Sequence, residues 1–157
     1  PIKSSAASDV YKRQTQMNVN VRASLELMQC CVPHMESKGW GRIVTLGSVQ
    51  QNRPSKQMIV YAASKAAQLN MVKNLAWQLG NKGITINNLA PGVIGTVRNE
   101  EVLSNEVFKT KIEKNIPLGY IGEPDDLASM ALLLCSEAGR YISGADILVD
   151  GGMSLPE

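Results

Sequence analysis

Three short apolar runs, Ile43–Leu46, Ile84–Leu89 and Asp146–Val149, stand between long stretches of helical periodicity. None reads as the strict polar–apolar alternation of a strand with one wet face. Such runs must be covered on both faces, which requires helices above and below a parallel sheet. The intervening segments supply those helices. Met17, Val21, Leu25, Met28 and Val32 recur at three- and four-residue steps and predict an amphipathic helix ending near Pro33. Apolar and small residues from Tyr61 to Leu79 predict a second, stopped by Gly80, and Glu123-Pro124-Asp125-Asp126 opens a third through Leu127 to Cys135. Helix and strand therefore alternate in the order of an α/β protein.

The 157 residues, 44% hydrophobic with a formal net charge of +2, fit a single domain over residues 15–157. The small positive excess is spread without a dense Lys/Arg run, which argues against nucleic acid and against an anionic membrane surface as partners. No window reaches the roughly 18 apolar residues of a membrane span, and no apolar signal core opens the chain, so a cytoplasmic protein is expected. Cys30, Cys31 and Cys135 lack metal-ligand or CxxC spacing and read as reduced core thiols; His34 reads as a surface residue, and no metal site is predicted. Met28, Met58, Met71 and Met130 read as core fillers. Residues 1–14, PIKSSAASDVYKRQ, show neither period and read as a non-native or disordered leader, and the codons for Asp9–Gln14 would resemble a transposon end used in library preparation.

Two loops hold the candidate chemistry. The first run ends in Gly47-Ser48, placing a hydroxyl at the C-terminal end of a strand, and a loop containing Asn52, Pro54 and Ser55 leads into Tyr61-Ala62-Ala63-Ser64-Lys65. Four residues apart on a helix, a phenol and an ammonium share one face. A free phenol titrates near pH 10, too high for a base near neutrality, and a cation one turn away favours the phenolate. Singly, Tyr61 also reads as a surface aromatic, Ser48 as a strand-end cap and Pro91-Gly92 as a simple turn. After that turn, the segment to about Lys114 is polar and expected to be mobile.

In order and at these intervals the residues resemble the short-chain dehydrogenase/reductase family. Tyr61 follows Ser48 by 13 residues, and Ile86-Asn87-Asn88-Leu89-Ala90-Pro91-Gly92 comes next, with Thr96 beyond it. Ile116-Pro117-Leu118-Gly119-Tyr120-Ile121-Gly122-Glu123-Pro124 follows, and then Ile142-Ser143-Gly144 through Val149-Asp150-Gly151-Gly152. The resemblance implies a partial Rossmann-like, doubly wound parallel sheet and an oxidoreductase that interconverts a carbonyl and a secondary alcohol by hydride transfer. It assigns Tyr61 as acid/base, Ser48 as the group that orients the substrate oxygen, and Asn20 as the fourth catalytic residue, interrupting its helix and holding a water linked to Lys65. Tyr61, Lys65, Pro91, Gly92, Ile94 and Thr96 would meet NAD or NADP, with the segment from Val97 to Lys114 as a substrate lid. Arg98 reads as a solvated loop charge or as a contact for an acidic substrate group.

The family's glycine-rich first turn and N-terminal strands would precede Thr15, and no G-x-x-x-G-x-G occurs here. Residues selecting NAD or NADP are likewise missing. The closing motifs resemble both 3-oxoacyl-carrier-protein reductases and sugar or polyol dehydrogenases. A tetrameric homo-oligomer is implied for the parent protein, whose helices equivalent to residues 16–32 and 61–79 form a four-helix bundle between subunits. The alternative is a truncated, inactive fragment that keeps only those association surfaces.

Overall fold

A computed structural model describes residues 6–53 and 58–156. Pro54 and Ser55 of the loop before Tyr61 lie outside the described residues, as do residues 1–5. Helix α1, Ala6–Met17, passes through a π-helical turn, Asn18–Arg22, into helix α2, Ala23–Lys38. The helix predicted from Thr15 therefore starts at Ala6, because good helix formers such as Ala, Lys, Arg and Gln propagate a helix without an apolar period.

Pro33 does not end α2. A proline removes one backbone donor, but Val32 before it and Met35 after it continue one half-buried face. The stop comes at Gly39, whose positive φ of 63° lets its N–H return to the Met35 and Glu36 carbonyls.

Strands β1 (Gly41–Leu46), β2 (Ile84–Pro91) and β3 (Asp146–Val149) form a parallel sheet in that order, with Gly41 opposite Ile84 and Asn88 opposite Asp146. β2 lies in the middle. Ile86 and Leu89 point to opposite faces by strand alternation, and both are fully buried, so β2 is covered on both sides. On one side helix α3, Ile59–Leu79, and α2 bring Val72 and Met28 onto Ile86, with Ile43, Leu75 and Ala76 packed around them. β1 is only half-buried, and Leu46 at its end is 59% exposed. That corrects the expectation of a fully covered strand: among the described residues, β1 pairs with β2 alone.

The segment after Pro91-Gly92 is helical rather than irregular. A 3₁₀ turn at Val97–Asn99 precedes α4 (Glu100–Leu103) and α5 (Glu106–Glu113), and the Asn105 side chain caps α5 by accepting from the Val107 and Phe108 N–H groups. Helix α6, Pro124–Leu134, starts as expected, with Pro124 in its first turn and a reciprocal cap between Glu123 and Asp126.

Cys30, Cys31 and Cys135 are exposed free thiols, which corrects their reading as core residues; their neighbours Met28 and Leu134, one or two positions away, take the buried face. Met58 is likewise exposed, at the entry to α3, while Met28 is buried and Met71 and Met130 are half-buried. At the opposite end of the sheet, Arg42 stacks over Trp40 and pairs with Glu137 at 2.9 Å, tying the start of β1 to the turn after α6. Among the described residues, no helix is long and apolar enough to cross a membrane, and no cluster of His, Cys, Asp or Glu could hold a metal ion.

Candidate active site

Because the three strands are parallel, their C-terminal ends share one edge, where Ser48, Pro91-Gly92 and Asp150 emerge. Ser48 is buried and caps a 3₁₀ turn, Val49–Gln51: its Oγ accepts from the Gln50 N–H at 3.2 Å, and its own N–H donates to Gln51 Oε1 at 3.3 Å. Gln51 is held in turn. Its Nε2 donates to both carboxylate oxygens of Asp146, at 2.7 and 2.8 Å, and Asn52 and the buried Asn88 donate to the same carboxylate at 3.1 and 2.8 Å. Thr45 donates to Asn88 Oδ1 at 2.7 Å, completing a polar row across all three strands.

Tyr61 and Lys65 occupy the first two turns of α3, both half-buried, with the Lys65 Nζ 5.9 Å from the centre of the Tyr61 ring. Lys65 Nζ also donates to the Leu46 carbonyl at 2.6 Å, two residues before Ser48. This contact draws the Tyr61 end of α3 to the end of β1 that carries Ser48. Asn20 sits within the π-helical turn, a feature that recurs at functional positions in helices. Its Nδ2 donates to Ser64 Oγ at 3.0 Å, and that hydroxyl donates to the Tyr61 carbonyl at 2.7 Å.

Pro91 closes β2, and the Gly92 N–H donates to the Val149 carbonyl at 3.0 Å. The turn passes so close to the end of β3 that a Cβ on Gly92 would lie 2.8 Å from the Asp150 Cα. Ile94 is buried and bridges to Gly122, its carbonyl accepting from Asn99 Nδ2 at 2.8 Å. Thr96 is exposed, and its side chain makes no capping bond to the turn that follows. A cavity of about 200 Å³ lies beside this turn, lined by Val93, Ile94, Ile116, Leu118, Tyr120 and Asp150 among others. Of the predicted site residues only Ile94 lines it.

Burial pushes the Asp150 carboxyl up, but hydrogen bonds from Ser154 and from the Gly152 N–H outweigh that effect and hold it below the ordinary carboxylate range. The side chain of Arg98 lies outside what the structure describes.

Sequence reasoning missed Ser24, Ser64, Gln68 and the Asp146 clamp. For two of them a signal was present. Tyr61, Ser64, Lys65 and Gln68 form a polar stripe at helical spacing, and Ser64 and Gln68 are buried. Asp146 carried no such signal, because only folding brings it across the sheet to Gln51.

The family model described as enoyl-(acyl carrier protein) reductase matches residues 3–154. The chain is 38% identical over 134 residues to a 7α-hydroxysteroid dehydrogenase of Escherichia coli, covering 85% of this chain and 52% of that protein. It is 34% identical over 143 residues to a 3β-hydroxysteroid dehydrogenase of Eggerthella lenta, covering 90% and 55%. The chain thus spans about half the length of the curated relatives it matches. Among solved structures, a gluconate 5-dehydrogenase of Burkholderia cenocepacia in complex with NADP and tartrate superposes with a TM-score of 0.89 at 29% identity, over 93% of this chain and 57% of that one. A 4-hydroxyisoleucine dehydrogenase mutant complexed with NADH and succinate gives 0.86 at 30% identity, over 90% and 58%. Sheet order and these matches agree: the chain belongs to the short-chain dehydrogenase/reductase family.

Proposed function

We propose that these residues form the catalytic part of an NAD(P)-dependent oxidoreductase that interconverts a carbonyl and a secondary alcohol. The observation that carries the reading is the Lys65 ammonium, held by the Leu46 carbonyl one helical turn from Tyr61 and close in sequence to Ser48. Relatives that are hydroxysteroid dehydrogenases and solved neighbours carrying NADP or NADH support it.

The residues present fit the nicotinamide end of such a cofactor. The tight Pro91-Gly92 turn would present the backbone of Ile94 and the exposed Thr96 hydroxyl to a carboxamide. The glycine-rich phosphate turn is not among these residues. A bound nicotinamide supplies hydride to a carbonyl or takes it from an alcohol.

Tyr61 gives the proton to the nascent alkoxide, or takes it from the alcohol in the reverse direction. Lys65 stabilises negative charge on the phenol oxygen and hydrogen-bonds the cofactor ribose. Ser48 donates to the substrate oxygen and orients it toward Tyr61. Asn20 braces the Tyr61 turn through Ser64 and holds a water that returns the proton by way of Lys65. The substrate is a small carbonyl or alcohol compound, the protein works in the cytoplasm, and the full-length subunit assembles as a homo-tetramer.

A second reading, a fragment that keeps only association surfaces, draws on exposed apolar side chains along the same helices: Val19, Leu27, Ile59 and Trp77, the last 92% exposed. Titration of this chain and of the full-length gene product with NADPH and NADH, followed by cofactor fluorescence, separates the two. Binding, with turnover lost in Tyr61→Phe, supports the enzyme. Self-association of this chain without binding, while the full-length product binds, supports the second reading.

A further inference from the structure

Lys65 is held from a second side. Its Nζ donates to Gln68 Oε1 at 3.2 Å, Gln68 Nε2 donates to Ser24 Oγ at 2.8 Å, and Ser24 Oγ donates to the Asn20 carbonyl at 2.8 Å. Gln68 is only 5% exposed, flanked in sequence by core Leu69 and Val72. An amide buried among such residues is costly unless both of its ends are bonded. Here each end has a partner that fixes its direction.

An ammonium can only donate, so it requires the carbonyl end of Gln68. Ser24 has a single proton, which goes to the Asn20 carbonyl, so its oxygen must receive the amide N–H. A flipped amide would set two donors against each other at Lys65 and take the Ser24 proton away from Asn20. The orientation is therefore locked by chemistry at both ends.

We propose that Gln68 is a positioning residue: through Ser24 it ties the Lys65 ammonium to the π-helical turn at Asn20, so that the two residues keep one fixed separation. This rests on the reaction proposed above for its catalytic meaning, while the tether itself is a property of the fold. Gln68 does not relay protons, since its neutral amide N–H and carbonyl belong to different atoms and cannot exchange roles along the chain. It acts by holding the cation.

The test uses the full-length gene product carrying these residues, labelled with ¹⁵N-lysine, with the Lys65 ammonium signal identified through Lys65→Arg. The wild type is expected to give a protected Lys65 Nζ–H signal. Gln68→Met, of similar shape but without a strong acceptor, should weaken it to what the Leu46 carbonyl alone sustains, and Gln68→Glu, which still accepts from Lys65, should restore it. Ser24→Ala should weaken the protection, and it decides the matter if Gln68→Met does not fold. Absence of a protected signal in the wild type, or one unchanged in Gln68→Met and Ser24→Ala, overturns the tether. These readings need no turnover, so a wild type that fails to oxidise or reduce any substrate counts against the proposed reaction and leaves the tether to be judged on its own. Where turnover is present, Gln68→Met should lower kcat on the order of 10- to 100-fold with little change in KM and should shift the pH profile. A variant that loses only thermal stability, with kcat and pH profile intact, also overturns the positioning role.

Discussion

The Asn20 side-chain amide donates to the Ser64 hydroxyl across 44 residues of sequence, joining the one π-helical turn among the described residues to the first turns of α3. Ser64 is completely buried and spends its own proton on the Tyr61 carbonyl. Ser64→Ala removes the hydroxyl that makes this bridge and leaves the Asn20 amide facing a methyl group. The expected cost is about 1–2 kcal/mol, read as a lower urea midpoint. Turnover should fall by more than the loss of folded protein explains, because the turn carrying Tyr61 loses its brace.

Asp146 collects amide donors from Gln51, Asn52 and Asn88. Asp146→Ala leaves the fully buried Asn88 amide and the half-buried Gln51 amide without this acceptor. A loss of about 2–3 kcal/mol is expected, accompanied by faster hydrogen exchange at the Gln50 and Gln51 amides as the turn capped by Ser48 loosens. Unchanged exchange there would show that Asp146 does not anchor the turn.

Gly92→Ala places a methyl group 2.8 Å from the Asp150 Cα and 2.9 Å from its Cβ, where the obstruction is a neighbouring strand end rather than a flexible tip. Overpacking of this kind costs about 1–3 kcal/mol. The variant should unfold earlier on heating and bind NADPH and NADH more weakly than its stability loss alone predicts. Wild-type affinity in a destabilised variant would separate the turn from cofactor binding.

Asp150 should mark the acid limit of stability. Its folded carboxyl titrates below the unfolded one because the hydrogen bonds from Ser154 and Gly152 outweigh burial. Its contribution is therefore present above the unfolded value, near pH 4, and is lost as pH falls through the folded value. Urea midpoints for the wild type and Asp150→Asn should differ at pH 6 and converge below about pH 4. A gap of constant size across that range would contradict the assignment.

The sheet and its three main helices were legible because buried parallel strands and amphipathic helices each impose a local period. β3 ends where its apolar run ends, and α6 starts at its proline and acids. Pro33 misled because a proline weakens a helix without forbidding it when the buried face continues. The cysteines misled because, despite apolar neighbours in sequence, they themselves lie on the wet side of α2 and just past the end of α6. Ser48, Tyr61 and Lys65 could be found as a spaced pattern, and the structure links Lys65 to the strand that precedes Ser48. The groups that hold them, Gln51 with Asp146 and Gln68 with Ser24, depend on contacts between distant elements that no local period encodes.

The parallel order of the strands also governs how the chain must fold. Thr45 meets Asn88 across 43 residues, and Asn88 meets Asp146 across 58. No hairpin can seed this sheet, so each partner of the central strand is gained only by closing a long loop, entropically unfavourable in advance. Helix α3, spanning most of the first loop, shortens that search once it forms. Its packing of Val72 onto Ile86 joins residues only 14 apart, so this contact closes a far shorter loop than either strand pairing.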